Sequence, residues 1–474
     1  MRRLVVSAAV LAALLLAACT AGEPKPFGAV PSEAQIAWQQ MEMNMFCHFG
    51  PNTFTGNEWG DGREDEDIFF PTALDCSQWV AVAKAGGFKG IIITAKHHDG
   101  FCLWPSQQSD HTVRESRWQR GGGDVLRELS DACHNGGVQF GVYVSPWDRN
   151  AANYGTAGYN TTFAATLREV LGGYGEVFEQ WFDGANGEGP NGRRQEYDWS
   201  LFNRTVGELQ PQAVVFSDVG PGCRWIGNER GEAGRTCWST IDPDGFEPGH
   251  GPGEQVLNCG VEGGSRWIPG EADVSIRDGW FYRESEHPKS VDELLRIYYN
   301  SVGRNAVLLL NVPPDTRGLV AEEDSVRIVE FRQALDQIFA NDLCAGAKAS
   351  TDSRWNRRHP ADAILDTTAA SYWMAHEGDT TATITLALPA RRTFNRLMLQ
   401  EPIAMGQRIA AFTVEVLDSN GRWHEVASET TVGYKRIVLL PQVETDRVKI
   451  NITRSLAEPA LCRVALYHDT LLKD

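Results

Sequence analysis

At Trp181-Phe-Asp-Gly184 a carboxylate stands among aromatic rings. The run Val177 to Phe182 before it reads as an apolar strand, so Asp183 falls at the strand's C-terminal end and Gly184 leaves space beside it. A carboxylate so placed suits attack on an anomeric carbon: aromatic walls exclude water, and the charge stabilises an oxocarbenium-like transition state. A turn or helix-cap aspartate is the competing reading. Such chemistry needs a second carboxyl as acid/base, about 5–5.5 Å away if configuration is retained. Two glutamates qualify: Glu229 in Arg224-Trp-Ile-Gly-Asn-Glu-Arg-Gly231, and Glu271 in Trp267-Ile-Pro-Gly-Glu-Ala-Asp273. Both lie among tryptophans and glycines, where burial would raise a carboxyl pKa as a general acid requires. A solvated loop glutamate is the competing reading for each.

A second concentration of polar chemistry follows another apolar run. Gly90-Ile-Ile-Ile-Thr-Ala leads into Lys96-His97-His98-Asp99. Histidines and an aspartate at barrel strand ends could hold a catalytic metal, as in deacetylases and amidohydrolases. However, the first strand carries Cys47-His48-Phe49 and no His-x-His pair, and HExxH is absent. Adjacent histidines on a strand point to opposite sides, so His97 and His98 could serve one ion only across a bend. A metal-dependent hydrolase acting on acylated sugars is therefore the lesser alternative, and a non-catalytic glycan-binding protein is another.

The elements that must position these residues alternate. Strands are predicted at 43–49, 90–95, 138–144, 177–182, 213–217 and 306–311; helices at 77–85, 124–134, 161–171, 197–209, 291–301 and 325–340. Repeated strand–helix–strand units argue for a parallel sheet. Polar residues fall at the ends of several strands (His48, Lys96 to His98, Tyr143 to Trp147, Asp183, Asp218). That favours an α/β fold of the (β/α)8 barrel type, whose sites collect at the C-terminal ends of many strands, over an open sheet with one switch point. The sixth and seventh strands give no clear pattern, so the barrel is expected to be irregular there. Beyond residue 343 the period changes to two, at 381–388, 412–417, 423–426 and 436–440, with the turn Asp418-Ser-Asn-Gly421 between two of these runs. This predicts an antiparallel β-sandwich.

The chain has 474 residues, 42% of them hydrophobic and 22% charged, enough for more than one globular domain. The region from residue 345 onward is close to neutral, so the net charge of −18 resides almost wholly in the preceding part. An acidic main domain disfavours nucleic acid and anionic lipid headgroups as partners. At the N-terminus Arg2 and Arg3 precede the apolar run Leu4 to Ala18, too short for an ordinary membrane span, and Cys19 follows Leu16-Ala-Ala18. This is similar to a bacterial lipoprotein signal. The expected divisions are 1–18 signal peptide, 19–36 lipidated Cys19 and tether, 37–343 barrel, and 345–474 sandwich. An exported, lipid-anchored protein of the cell envelope follows, touching membrane only through its anchor. Export permits disulfides; Cys223 with Cys237 or Cys259 is a candidate pair, and the absence of CxxC argues against a zinc ribbon.

Five segments, in order, carry a resemblance to the α-L-fucosidases of glycoside hydrolase family 29: Phe46-Cys-His-Phe-Gly50, Glu58-Trp-Gly60, Thr94-Ala-Lys-His-His-Asp-Gly-Phe101, Trp181-Phe-Asp-Gly184 and Gly279-Trp-Phe-Tyr282. The resemblance implies that Asp183 is the nucleophile, that His48, His97, His98, Glu58 and Trp59 bind fucose hydroxyls or line the ring, and that Tyr143, Trp181 and Trp280 complete the pocket. Trp225-Ile-Gly-Asn-Glu-Arg-Gly231 looks like the branch acting on α-1,3 and α-1,4 linkages. That implies Glu229 as acid/base over Glu271, with Arg224 pairing with it or with substrate. The substrate would be a fucosylated glycan and the mechanism a retaining double displacement. No metal or organic cofactor is implied. The C-terminal region resembles discoidin-like modules; Trp355 and Trp373 are its candidate sugar platforms, with core packing the competing reading. Oligomeric state is left open.

Overall fold

The computed structural model describes residues 22–471. The proposed signal and Cys19 therefore lie outside the described residues. Eight parallel strands close into a barrel: β1 Met43–Cys47, β2 Gly90–Lys96, β3 Gln139–Val144, β4 Glu179–Trp181, β5 Val214–Ser217, β6 Cys223–Trp225, β7 Gly270–Ser275 and β8 Val307–Asn311, with β8 pairing back on β1. The unpredicted strands are β6 and β7. β6 follows β5 through residues 218–222 alone, without a crossover helix, and a long loop-rich segment separates it from β7.

The helices start and stop where their end chemistry dictates. Asp75 caps Cys76–Gly86 by accepting from Ser77 N and Gln78 N, and Gly87 closes it at φ 80°, a left-handed conformation that glycine adopts without strain. Ser290 and Glu293 form a capping box on Val291–Asn300.

Alternation along each strand divides two cores. Met43, Met45, Ile91, Ile93 and Val142 face outward onto the helices. Phe46, Ile92, Tyr143, Trp181, Phe216 and Leu309 fill the interior, with Trp38 of the helix Glu33–Met41 packed among them. The interior is thus a layered solid with its open end at the C-terminal rim.

The second domain is an antiparallel sheet domain built on β9 Lys348–Thr351, β10 Ala382–Gln400, β11 Ile409–Leu417, β12 Trp423–Glu429, β13 Arg436–Ser455 and β14 Arg463–Tyr467, ordered β9-β10-β13-β11-β12 with β14 on β10. Together the two domains have the expected architecture of a TIM-like barrel followed by a β-sandwich. They meet at the N-terminal ends of the barrel strands. Tyr434 Oη donates to Glu42 Oε1 at 3.1 Å, just before β1, and Asn305 N, just before β8, donates to Lys435 O at 2.9 Å. These contacts lie at the opposite end of the barrel from the rim. Trp373 is fully buried in the sandwich core, so it offers no platform; Trp355 is half-buried and donates to Gly22 O.

Among the described residues the cysteines are free, including Cys223, Cys237 and Cys259. The candidate disulfide is not formed, and β6 shows why Cys223 is otherwise engaged: it points into the barrel, with Sγ 3.6 Å from Glu179 Oε1.

Candidate active site

At the C-terminal rim a cavity opens in two joined lobes. The inner one, about 180 Å³, is lined by His48, His97, His98 and Tyr143 together with Trp59 and Trp280. The outer one, about 290 Å³, runs past Phe216, Asp218 and Trp225. Trp181, Asp183, Ala185, Glu229 and Asp273 line both.

Asp183 lies two residues beyond β4, so alternation carries it to the same inward side as Glu179 and Trp181. Each carboxylate oxygen is held: Oδ1 accepts from Ala185 N at 2.7 Å and Oδ2 from Tyr143 Oη at 3.0 Å. Burial, then the charge of Asp183, pushes the Tyr143 phenol pKa up, so it stays a donor. Gly184 does more than leave space. A Cβ there would meet the backbone of Gly249 at 2.8–2.9 Å, so two loops touch main chain to main chain beside Asp183.

The three histidines converge. β2 ends at Lys96, and the chain turns so that His97 and His98 both face the cavity, their ring centroids 4.2 Å apart. The bend that the sequence left open is present. His98 Nδ1 lies 2.8 Å from Ser145 Oγ, and Nε2 lies 3.6 Å from Asp183 Oδ2. His48 Nδ1 lies 3.0 Å from Asn311 Oδ1, while Asn311 Nδ2 donates to Ser275 Oγ and Trp280 O. That arrangement assigns the proton to Nδ1 and leaves Nε2 an acceptor. His97 Nδ1 is buried with no protein partner among the described residues. Burial lowers the pKa of His48 to about 3, of His98 to about 4, and of His97 well below the ordinary value. All three are therefore neutral near pH 7, each with one donor and one acceptor, which suits hydroxyl recognition.

Glu229 stands at the rim on the loop after β6. The residue as a whole is exposed, but its carboxyl is crowded: Oε2 lies 3.3 Å from Trp280 Nε1. Burial of the carboxyl raises its pKa, the Trp280 bond opposes this, and the charge of Asp183 adds to it. Trp59, 57% exposed, stands edge-on to Trp147 and His98 at the mouth.

Three expected site residues lie elsewhere. Arg224 is fully buried on the outward side of β6, donating from Nε to Leu257 O and from Nη2 to Trp238 O, both at 2.9 Å, and from Nη1 to Ile268 O. Its neighbour Trp225 takes the inward position. A strand of three residues is too short for its alternation to show in the sequence. Glu58 does not line the cavity; its carboxylate receives Trp280 N and the Arg283 guanidinium, so it holds Trp280 in place. Glu271 is inside the barrel near the start of β7, below the cavity floor. There it accepts from Trp181 Nε1 at 3.0 Å and pairs with Glu179, which in turn accepts from Trp38 Nε1 at 2.7 Å. Two acceptor-only carboxylates cannot bond to each other, so this pair retains a proton; burial pushes both pKa values up. With Cys223 these two form a compact buried trio beneath Trp181, not at the rim.

Strand β7 also explains what was missed. Glu271, Asp273 and Ser275 share its inward side, and two residues advance a strand by about 6.6 Å. Asp273 therefore reaches the cavity when Glu271 does not. The alternation in Gly270-Glu-Ala-Asp-Val-Ser275 is the signal that could have found it. Glu271→Gln is expected to keep kcat/KM within about threefold, because the amide still accepts from Trp181 and donates to Glu179. Azide should not raise its activity, as it would for a lost acid/base.

The comparisons with known proteins agree with this geometry. Residues 29–336 match the family model Alpha-L-fucosidase, and residues 346–464 match F5/8 type C domain. Alpha-L-fucosidase 1 of Arabidopsis thaliana is 43% identical over 456 residues, covering 94% of this chain and 89% of that protein. The crystal structure of SpGH29 superposes with a TM-score of 0.90 at 39% identity, covering 94% of this chain and all of that one. A Ruminococcus gnavus GH29 fucosidase in complex with fucose superposes at 0.88 with 31% identity, covering 96% and 97% of the two chains. With a closed barrel, a cavity ringed by carboxyl groups and neutral histidines, and a family match across the whole barrel, this chain belongs to the alpha-L-fucosidase family of glycoside hydrolases.

Proposed function

We propose that the enzyme is a retaining exo-α-L-fucosidase that removes terminal fucose, α-1,3- or α-1,4-linked, from oligosaccharides or glycoconjugates. The observation that carries this reading is Asp183, held by two hydrogen bonds in a cavity whose rim bears a second carboxyl with a raised pKa. Asp183 attacks the anomeric carbon while Glu229 gives its proton to the departing oxygen. A covalent fucosyl ester results. Glu229, now a carboxylate, takes a proton from water as the water oxygen attacks the same carbon, which releases fucose and regenerates both groups. His48, His97 and His98 accept from and donate to the fucose hydroxyls, and Phe46 and Trp181 give the C6 methyl an apolar wall.

The linkage reading rests on the Trp225 to Gly231 segment and on the outer lobe, which offers room for a branched leaving sugar. Its test is a panel of α-1,2, α-1,3, α-1,4 and α-1,6 fucosylated glycans, with proton NMR of the first-formed anomer. Release from α-1,2 or α-1,6 glycans alone contradicts the linkage; β-fucose appearing first contradicts retention. Export with lipid attached at Cys19 rests on Arg2, Arg3 and the Leu4 to Ala18 run. Labelled fatty acid should enter the full chain and not Cys19→Ala.

Trp280→Phe probes the acid. The indole N–H stabilises ionised Glu229, so its removal raises the Glu229 pKa further and keeps the proton on to higher pH. The alkaline limb of kcat/KM should move upward. A downward shift would contradict the assignment of that limb to Glu229.

A further inference from the structure

Asp273 has no part in the mechanism above, yet it lines both lobes beside Asp183 and Glu229 and is 3% exposed. Its position follows from the alternation of β7, which sends Glu271 to the layer below and Ser275 to the Asn311 bond above. Oδ1 accepts from Trp225 Nε1 at 2.8 Å. No other described residue hydrogen-bonds Oδ2, so a ligand filling the cavity can meet it.

Asp183, Glu229 and Asp273 line both lobes and Asp218 the outer one, and four carboxyl groups on one small cavity disfavour one another's charge. Double displacement assigns the charge to Asp183 and a proton to Glu229. No lysine or arginine lines either lobe among the described residues. An ionised Asp273 would then be a buried charge without a counter-charge, which is costly. Neutral Asp273 uses Oδ1 as acceptor for Trp225, which leaves an Oδ2 hydroxyl as donor. Burial first, and then the carboxyl groups of Glu229 and Asp183 beside it, push its pKa well above the ordinary carboxyl range.

The placement says where this donor points. The histidines belong to the inner lobe only, and Trp225 and Phe216 to the outer lobe only. Asp273 is tied to Trp225 at the junction, where the scissile oxygen and the first leaving sugar must lie. We propose that Asp273 is a specificity-determining residue that, as a neutral acid, donates a hydrogen bond to an oxygen of the sugar carrying the fucose. This rests on the fucosidase reading above. The sugar's ring packs against Trp225, and the Asp273 donor fixes its orientation.

The test compares wild type, Asp273→Asn and Asp273→Ala on an α-1,4-fucosylated trisaccharide and on an aryl fucoside, whose leaving group offers no sugar oxygen. Asparagine supplies both an acceptor for Trp225 and a donor, so it should stay within about fivefold of wild type on both substrates. Alanine leaves a substrate oxygen unpartnered, so kcat/KM on the trisaccharide should fall about 10–100-fold, mainly through KM, with less than about threefold loss on the aryl fucoside. The retained aryl activity also shows that the variant folds. Equal losses by Asp273→Ala on both substrates overturn the proposal, as does an asparagine variant as impaired as alanine, which would mean the charge is what matters. Wild type inactive on both substrates overturns the fucosidase reading and this role with it; active wild type without the substrate difference overturns the role alone.

Discussion

Asp183→Asn is expected to lower kcat/KM for fucose release by on the order of 10⁴-fold or more, on glycan and aryl substrates alike. The change removes one negative charge and almost no volume. An asparagine oxygen still accepts from either Ala185 N or Tyr143 Oη, the two groups that orient the native carboxylate. The fold should therefore persist, with a melting temperature within a few degrees of wild type. What is lost is specific to chemistry: no covalent ester forms and no charge faces the developing oxocarbenium ion. Binding of fucose should survive, because the neutral histidines and Trp181 are untouched. Calorimetric titration with fucose separates these effects. Residual activity above about one hundredth of wild type would remove Asp183 from the nucleophile's role.

The second large effect is expected from Glu229→Ala. A sugar leaving group departs as a poor alkoxide unless protonated, so glycan hydrolysis should fall on the order of 10²–10⁴-fold. An activated aryl fucoside needs no such help in the first step, and its loss should be concentrated in release of the fucosyl ester. Azide needs no general base, so it should accelerate turnover of this variant and yield α-fucosyl azide. The pH profile gives an independent sign. In wild type, kcat/KM should fall as pH rises through the Glu229 pKa, because the ionised form cannot donate. Crowding of the carboxyl and the Asp183 charge set that limb above the value of a solvated glutamate. In the alanine variant the limb should vanish for the aryl substrate. A persistent limb, or rescue of Glu271→Ala by azide and not of Glu229→Ala, would move the acid/base elsewhere.

How far the chain could be read depended on how each residue's surroundings write themselves into sequence. Barrel strands buried on both faces read as apolar runs, and β2, β5 and β8 were legible for that reason. β7 was hidden because its inward residues are acidic, which breaks the apolar pattern a strand is recognised by. β6 was hidden by its length of three residues and by the lack of a helix before it. These two strands account for the misplaced residues: once Cys223–Trp225 is seen as a strand, Arg224 must face opposite to Trp225, and once Gly270–Ser275 is seen as one, Glu271 and Asp273 must stack at different depths.

By itself, the sequence determined the two-domain division, the barrel class and the set of residues at the ends of β1 to β4, because strand ends and hydrophobic periods are local properties. It also carried the Asp183 position, since an aspartate two residues past a strand falls at the rim whatever the rest of the barrel does. Only the tertiary structure decided that His97 and His98 share one wall, that Glu58 props Trp280, that Glu271 is sealed in a protonated pair under the floor, and that Asp273 lines the cavity with Asp183 and Glu229. Depth in a closed barrel, and the charge state it imposes, arise from neighbours far apart along the chain, and no short stretch of residues contains them.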